Sequence, residues 1–359
     1  MLKAGYRHHQ LEFKRPGGTS RGVLHKKDTW FLILKDQQRW GIGECGMFKG
    51  LSADDRPDFE DRLDWLCQQI DRGFEELYEE LADFPALRMG LETAWRSLHC
   101  EQPFQLYPSG FTQGSQGILI NGLVWMGSLD FMKEQIAQKL DEGFSCLKLK
   151  IGAIDFKAEL ELLKGIRKEY APELIEIRVD ANGAFSPLEA LEKLKRLSDY
   201  QLHSIEQPIR AGRWDEMAAL CEHSPLPIAL DEELIGVKEV HDKEALLQAV
   251  KPHYIILKPT LVGGFTSCDQ WIGLAEKQGT GWWITSALES NIGLNAIAQY
   301  TFTKNSKLPQ GLGTGGLFTN NIESPLRVSH GYLRYLSQDS WNLDVLNIKK
   351  VDYVHRTGI

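Results

Sequence analysis

Apolar and polar positions alternate in two different ways along this chain, and the first way covers its first hundred residues. The apolar segments 30–35 and 40–44 flank the polar turn 36–39, a pattern that predicts a β-hairpin. Segments 58–81 and 85–98 instead place apolar side chains three and four positions apart, which predicts helices. Strands that are followed by helices in this way indicate an α+β unit.

From Gly117 onward the pattern changes to a repeated unit, in which a short apolar strand is followed by an amphipathic helix. Eight such strands alternate with helices, so we predict an α/β protein with a (β/α)₈ TIM-type barrel. The predicted strands are 118–125, 146–151, 176–180, 204–206, 228–231, 254–258, 282–285 and 308–312. The predicted helices are 129–142, 156–170, 187–197, 214–221, 237–250, 265–277 and 291–303. From Asn320 the alternation breaks, and we expect strands and turns that fold back on the N-terminal unit.

The composition is that of a globular protein and excludes several classes of function. With 359 residues, of which 42% are hydrophobic and 25% charged, the chain can bury a large core. The 41 basic and 49 acidic residues give a net charge of −8, and no basic block is interleaved with aromatic residues, so a nucleic-acid partner is not expected. Six scattered cysteines without a Cys-x-x-Cys pair predict neither a zinc site nor a disulfide scaffold.

No membrane or secretory segment is predicted. No apolar run reaches the ~20 residues that a membrane helix needs, and the basic first residues have no apolar core behind them. We therefore expect a cytoplasmic protein whose partner is a small molecule.

Charged residues stand at the ends of five consecutive predicted strands, where the active site of such a barrel is found. They are Lys148 and Lys150 on the second strand, Asp180, Glu206 and Asp231 on the third to fifth, and Lys258 on the sixth. Side chains two positions apart on a strand share one side, so both lysines of the second strand can point into the barrel mouth. Three converging carboxylates repel each other unless a cation holds them, and all-oxygen ligands select a hard ion such as Mg²⁺.

Each of these features also has a structural interpretation. A Lys-x-Lys pair on a strand is commonly a solvated edge, and an aspartate at the end of a strand commonly caps the next helix. Surface positions do not explain five consecutive strands that all end in charge and are flanked by apolar runs. We therefore interpret the set as an active site that binds a divalent cation.

These motifs resemble the enolase superfamily in its muconate-lactonizing branch. The resemblance rests on Lys-x-Lys at 148–150 and on Val179-Asp180-Ala181-Asn182-Gly183, Ile205-Glu206-Gln207-Pro208, Leu230-Asp231-Glu232 and Leu257-Lys258-Pro259. It implies an α+β capping domain at 1–116, completed by 317–359, over a barrel at 117–316. It also implies Mg²⁺, with Mn²⁺ as a substitute, on Asp180, Glu206 and Asp231, and removal of a proton α to a substrate carboxylate.

The three lysines would divide the acid–base work. A lysine near another cation in a dry mouth has a lowered pKa, which makes Lys150 the candidate neutral base. Lys148 would then hydrogen-bond the substrate carboxylate and stabilise the enolate. Lys258, across the barrel, would act as an acid on the opposite face or as a cation against a planar ring.

Residues at the ends of the sixth, seventh and eighth predicted strands narrow the choice among the reactions of this superfamily. The sixth strand ends in Lys258 and the seventh in Thr285 and Ser286, which argues against a His–Asp dyad there, and no Asp-x-Asp pair follows the eighth. Segments 285–293, 311–315 and 318–321 are similar to those of dehydratases that form 2-succinylbenzoate for menaquinone. The resemblance implies loss of water from 2-succinyl-6-hydroxy-2,4-cyclohexadiene-1-carboxylate. The candidate substrate contacts are Ser286, Asn182, Thr314 and Arg21.

Three alternatives stay open. The same charged residues would serve an isomerase, either an N-acyl (N-succinyl) amino acid racemase or a dipeptide epimerase. Lys258 could instead form a Schiff base as in an aldolase, although the three carboxylates argue against it. The barrel could also be a binding protein without activity, but such a protein would have no reason to keep both Lys150 and Lys258.

Two glycine-rich segments need separate interpretations. Residues 311–316 lack the following Lys-Ser/Thr of a phosphate-binding loop, so nucleotide binding is not expected. Residues 16–22 are typical of a hairpin turn. Their functional alternative is a mobile lid, in which Thr19, Ser20 or Arg21 meets the succinyl carboxylate of the substrate.

Overall fold

An antiparallel sheet opens the chain, with the strands β1 (Lys3–Thr19), β2 (Gly22–Lys35) and β3 (Trp40–Cys45) in that order. The structure is a computed structural model that describes residues 2–19 and 22–346. Trp30 pairs with Cys45 and Lys35 with Trp40, so the hairpin around 36–39 is confirmed. The strands β1 and β2 pair along their length, and Gly17 and Gly18 of the glycine-rich segment pair with Leu24 and Val23. The predicted turn falls on residues 20 and 21, which lie outside the described residues.

Three helices pack against this sheet, namely α1 (Phe59–Gln68), α2 (Phe74–Glu80) and α3 (Pro85–His99). The helical pattern over 58–81 is interrupted, because Gly73 has a φ of +94°, which a continuous helix does not allow. The last helix lies close to β3. A Cβ atom on Gly43 would come within 2.0 Å of the Gly90 carbonyl oxygen, so only glycine fits at this contact.

The barrel follows β4 (Ile118–Leu119), and its wall contains seven parallel strands. These are β5 (Gly122–Val124), β6 (Cys146–Lys150), β7 (Glu176–Asp180), β8 (Ser204–Glu206), β9 (Ile228–Leu230), β10 (Tyr254–Leu257) and β11 (Gly281–Ile284). Two bridges close the ring, since Thr285 pairs with Gly311 and Ile120 pairs with Gln310. The predicted (β/α)₈ barrel is therefore confirmed, with an eighth strand reduced to two bridging residues.

The predicted first barrel strand, 118–125, is two strands that belong to different sheets. β4 joins a small antiparallel sheet with β12 (Leu326–Ser329) and β13 (Tyr332–Tyr335), whereas β5 pairs with β6. The partner changes where the Ile120 amide donates to the Gly331 carbonyl and the Asn121 amide to the Gln310 carbonyl. The prediction of one strand is wrong because the apolar pattern runs on through this change of partner.

The chain after residue 317 contacts both parts of the molecule. Asn320 Nδ2 donates to the Gln10 carbonyl at 2.7 Å, and Ile322 packs against Phe31 of the N-terminal sheet. This part folds back on the N-terminal unit, as predicted. The prediction does not hold for β12 and β13, because β13 pairs with the edge of β4 and β12 pairs with β13.

Helices alternate with the barrel strands as the periodicity predicts. They are α4 (Leu129–Asp141), α5 (Phe156–Glu169), α6 (Pro187–Ser198), α7 (Trp214–His223), α8 (Val240–Val250), α9 (Pro259–Val262), α10 (Gly264–Lys277) and α11 (Asn291–Thr303). Among the described residues, no helix combines the length and apolar character that a membrane crossing requires.

Candidate active site

Six charged side chains meet at the carboxyl ends of five neighbouring barrel strands. They are Lys148 and Lys150 on β6, Asp180 and Glu206 at the ends of β7 and β8, and Asp231 and Lys258 directly after β9 and β10. The parallel register places Lys150 beside Asp180 and Asp180 beside Glu206. All six are buried or nearly so. The structure thus brings together the charged residues that the sequence singled out.

Two of the lysines share the Asp180 carboxylate. Lys148 Nζ lies 2.9 Å from Asp180 Oδ2 and also contacts Glu206, whereas Lys150 Nζ contacts Asp180 and donates to Asn182 Oδ1 at 2.9 Å. Burial opposes the charge of Lys148, but Asp180 and Glu206 outweigh it and raise the pKa of this lysine. Burial, together with the charges of the other lysines, lowers the pKa of Lys150. Lys150 is therefore the lysine of the cluster that most readily becomes a neutral amine.

Glu206 lies between Asp180 and Asp231, and one of its carboxylate oxygens has no hydrogen-bond partner among the described residues. Glu206 Oε1 is buried and accepts no hydrogen bond within the described part of the chain, although Lys258 Nζ lies 3.9 Å away. Burial, and then repulsion by Asp180 and Asp231, raises the pKa of Glu206. Lys258 contacts Asp231. Burial alone would lower the pKa of Lys258, but the negative charges of Asp231 and Glu206 outweigh this effect and raise it. Lys258 is thus held as a cation.

The three carboxylates fit a divalent cation by their donor chemistry. Asp180, Glu206 and Asp231 supply only oxygen atoms from neighbouring strands, and the left-over Glu206 oxygen is available to a ligand. Within residues 2–19 and 22–346, no three acidic, histidine or cysteine side chains already form a metal cage. The ammonium groups of Lys148 and Lys258 contact these carboxylates, so a bound cation would compete with them.

A cavity of about 700 Å³, part of which is open to solvent, has the three lysines in its wall. The rest of the wall is mostly apolar and comes from both parts of the chain, with a few polar groups among the apolar ones. The main contributors are Leu24, Phe48, Leu51, Asn121, Leu123, Trp125, Leu261, Ser286, Leu288 and Thr314. Its lining suits a small ligand that packs against apolar side chains and is oriented by a few polar and charged contacts.

The four residues predicted to contact the substrate do not all lie in the cavity wall. Ser286 and Thr314 line the cavity, and their hydroxyl oxygens lie 2.8 Å apart. Asn182 contacts Lys150 and does not line the cavity, since its Oδ1 accepts from Lys150 and its Nδ2 donates to Glu232 at 2.9 Å. Arg21 lies outside the described residues. The substrate contacts of all four stay predictions.

Sequence reasoning missed the apolar wall that the N-terminal domain contributes. Leu24 on β2 and both Phe48 and Leu51 in the loop after β3 line the cavity. The tip of the first hairpin also reaches the barrel, where the Met126 amide donates to the Gly18 carbonyl at 3.3 Å. A signal was present, because Phe48 and Leu51 are apolar residues in a loop that is otherwise rich in glycine and charge.

The chain matches known proteins over most of its length. The model of the enolase C-terminal domain-like family matches residues 131–338. An o-succinylbenzoate synthase from Desulfotalea psychrophila is 50% identical over 363 aligned residues, which cover 92% of this chain and 98% of the relative. The chain belongs to the o-succinylbenzoate synthase family. The resemblance to the enolase superfamily is thereby confirmed.

Structural similarity supports the same family. The crystal structure of MenC from Desulfotalea psychrophila LSv54 has a TM-score of 0.83 and 46% sequence identity, and the match covers 93% of this chain and 99% of that one. The N-succinylamino acid racemase from Thermus thermophilus is 34% identical over only 44% of this chain and 40% of its own length. The enolase superfamily, to which o-succinylbenzoate synthases belong, uses a divalent metal, and the carboxylates described above fit that requirement.

Proposed function

We propose that this chain removes water from 2-succinyl-6-hydroxy-2,4-cyclohexadiene-1-carboxylate to form 2-succinylbenzoate, with Mg²⁺ as its cofactor. The observation that carries the proposal is the position of Lys150, which is buried beside Asp180 and Asn182 in the wall of a cavity that also holds Lys258. Burial and the neighbouring lysines lower its pKa. A neutral amine in such a place can take a proton that lies α to a carboxylate. Membership of the o-succinylbenzoate synthase family supports the choice of substrate.

Lys150 carries the proton in both halves of the reaction. Its neutral Nζ takes the proton from the ring carbon that bears the carboxylate, and the electron pair left behind delocalises onto that carboxylate. The resulting ammonium then gives the proton to the departing hydroxyl on the same face. The carbon–oxygen bond breaks, water leaves, and the ring becomes aromatic. Because one group serves both halves, the elimination is syn.

Asp180, Glu206 and Asp231 would hold the Mg²⁺, or Mn²⁺ in its place, which when bound supplies positive charge beside the substrate carboxylate. Lys148 adds a second positive charge there, because its own pKa is raised and it stays an ammonium. Both charges favour the substrate after it has lost the proton, when its carboxylate carries more negative charge.

Lys258 and the hydroxyl groups orient the ring. Lys258 stays charged beside Asp231, so it can face the developing aromatic ring as a cation. Ser286 and Thr314 offer hydroxyl groups to the succinyl arm, and Arg21 is proposed to meet its carboxylate. The apolar wall keeps water away from the base.

The experiment that tests this function follows the ultraviolet absorbance of the cyclohexadiene carboxylate with purified protein and Mg²⁺, and identifies the product by mass spectrometry. Formation of 2-succinylbenzoate is the expected result. No conversion by folded protein that has bound metal would contradict it.

Racemisation of N-succinyl amino acids is the second candidate, and one observation favours it: Lys150 and Lys258 line the same cavity. One lysine could remove the α-proton while the other returns a proton to the opposite face. The readout is exchange of the α-proton with solvent deuterium. Exchange that is faster than dehydration of the cyclohexadiene would make the racemase the main activity.

A further inference from the structure

A second buried charged cluster lies where the N-terminal sheet meets the barrel loops. We define this interface cluster as Lys27, Glu44, Thr260 and Glu289. Its members come from β2, β3, the start of α9 and the loop after β11. All four are buried, and Thr260 and Glu289 have no exposed surface. The reaction described above uses none of them.

The Glu289 carboxylate ties together the two loops that carry active-site residues. Its Oε1 accepts from the hydroxyl of Thr260, which lies two residues after Lys258. Its Oε2 accepts from the amide of Ala287, which directly follows Ser286, at 2.8 Å. One buried side chain therefore sets the spacing between the start of α9, next to Lys258, and the loop that carries Ser286.

The loop that Glu289 holds has a strained backbone at the cavity wall. Leu288 lines the cavity and has a φ of +63°, in the left-handed region that a leucine rarely adopts. Its amide donates to Ser286 Oγ at 2.9 Å, so the same strained turn also orients the Ser286 hydroxyl. A conformation of this kind persists only where its surroundings hold it in place.

The N-terminal domain supplies the positive charge of the cluster. Lys27 Nζ donates to the Gly46 carbonyl at 3.2 Å, and its charge acts on Glu44 and Glu289. A Cβ atom on Gly46 would lie 3.2 Å from Lys27 Nζ and 3.4 Å from Glu289 Cγ, so the two domains are closely packed here. Burial raises the pKa of Glu289 and lowers that of Lys27, and each charge opposes the shift of the other.

Glu44 extends the contact to the next barrel helix. Its Oε1 accepts from the Ser290 amide at 2.9 Å, and its Oε2 accepts from the Gly293 amide at 2.8 Å, at the N-terminus of α11. A carboxylate at that end of a helix satisfies free amides and meets the positive end of the helix dipole. The loop at 286–290 is therefore held from both of its ends.

We propose that Glu289 is a positioning residue, which fixes the distance and orientation between Ser286 and Lys258. We also propose that Lys27 makes this arrangement depend on the packing of the N-terminal domain against the barrel. The inference rests on the proposed function, because it names how the same site is held together. Neither residue needs to touch the substrate.

Glu289→Gln tests the first part with little change in shape. A glutamine keeps one acceptor oxygen for the Ala287 amide, presents an NH2 group instead of an acceptor to the Thr260 hydroxyl, and removes the negative charge that Lys27 acts on. We expect kcat/KM for the dehydration to fall about tenfold or more, mainly through kcat, because a small misplacement affects the reacting geometry more than binding. Backbone amides at 286–290 should also exchange faster with deuterium.

Glu92→Gln is the matched control. Glu92 is also buried and also joins the domains, since it accepts from the Phe265 amide at 2.6 Å and from the Thr266 hydroxyl at 2.8 Å, both at the start of α10. It does not line the cavity. We expect a loss of Tm with kcat/KM within about twofold of the wild type. An equal loss of kcat/KM in Glu92→Gln and Glu289→Gln would overturn the proposal.

Lys27→Met, alone and combined with Glu289→Gln, tests the second part. If Lys27 acts through Glu289, the double variant should lose little more kcat/KM than Glu289→Gln alone. Multiplied losses would show that the two residues act separately and would overturn this part. Should Glu289→Gln not fold, Thr260→Val removes one donor and carries the same expectation.

These experiments distinguish a failure of this inference from a failure of the proposed function. If the wild type does not convert the cyclohexadiene carboxylate, the proposed function fails, and deuterium exchange at 286–290 still decides the inference. If the wild type converts it and Glu289→Gln is equal to the wild type in rate and in exchange, the inference alone fails.

Discussion

Three lysines of one cluster have different protonation behaviour because their carboxylate partners differ. Lys148 faces two carboxylates, and its pKa rises. Lys258 contacts Asp231 and stays charged. Lys150 shares Asp180 with a second lysine, so burial prevails and its pKa falls. The distribution of negative charge around three identical side chains thus distinguishes Lys150, which is the base in the proposed reaction.

Glu206→Gln should weaken binding of a divalent cation. The variant keeps the size of the side chain but replaces the anionic oxygens, one of which is buried without a hydrogen-bond partner among the described residues. We expect the Kd for Mg²⁺ or Mn²⁺, measured by isothermal titration calorimetry, to rise about tenfold or more. Glu92→Gln serves as the control with unchanged affinity. Equal affinity in wild type and Glu206→Gln would remove Glu206 from the metal site.

The charged residues of the site could be predicted from the sequence, whereas several of its other residues could not. Asp180, Glu206 and Asp231 end apolar strands, and strand ends in a parallel barrel always converge. Glu289 and Phe48 lie in loops, and no period relates a loop residue to the cavity. Asn182 shows the same limit, because its position near the site was predictable and its contact with Lys150 was not.

At the scale of elements, close contact of α3 with β3 requires glycine. Gly43→Ala would place a methyl group 2.0 Å from the Gly90 carbonyl oxygen, so we expect a loss of about 2 kcal/mol or more in the free energy of unfolding. Gly165→Ala on α5 is the control. A Cβ atom there meets nothing within 4 Å, and alanine should stabilise the helix by about 0.5–1 kcal/mol. Urea unfolding measures both, and a neutral Gly43→Ala would contradict the packing described here.

The loop that carries Phe48 and Leu51 is attached to α3 by Asp54, and this attachment should depend on pH. Asp54 Oδ2 accepts from the Ala86 amide at 2.8 Å, and burial raises the pKa of Asp54 to about 7. In the unfolded chain the pKa of Asp54 is near the ordinary aspartate value of 3.8, so at a pH between 3.8 and about 7 unfolding releases a proton. The contribution of Asp54 to stability is therefore full below pH ~4 and is lost as the pH rises towards ~7.

Asp54→Asn isolates that effect. The wild type should lose up to about 4 kcal/mol in unfolding free energy relative to the variant between pH 4 and pH 8, because each pKa unit corresponds to about 1.4 kcal/mol. Urea unfolding of both proteins at several pH values measures the difference. A difference that stays constant with pH would show that Asp54 does not titrate in this range.

The sequence pattern predicts elements well where an element keeps one partner. The hairpin at 36–39 and the barrel strands from β6 to β11 are confirmed because their apolar runs end where their pairing ends. The strand predicted at 118–125 is wrong, since its apolar run continues from one sheet into another. The spacing of apolar residues along the chain indicates which side chains are buried. It does not indicate which neighbouring strand a given strand pairs with.

At the scale of the whole molecule, carboxylates of the N-terminal domain cap two barrel helices. Glu44 binds the first amides of α11 and Glu92 those of α10, and these helices follow the strands next to Lys258 and Ser286. The cavity is also closed by Leu24 and other apolar residues of that domain. The domain boundaries at 116 and 316 stay predictions, as does the cytoplasmic location, but the site needs contributions from both parts.

The central claim is that Lys150 and a divalent cation together convert the cyclohexadiene carboxylate to 2-succinylbenzoate. The most direct measurement compares product formation by the wild type, by the wild type with excess EDTA and by Lys150→Ala, each confirmed to be folded. We predict product from the wild type alone, and a fall in kcat of about a thousandfold or more in Lys150→Ala. Full activity with EDTA, or in Lys150→Ala, would contradict the account.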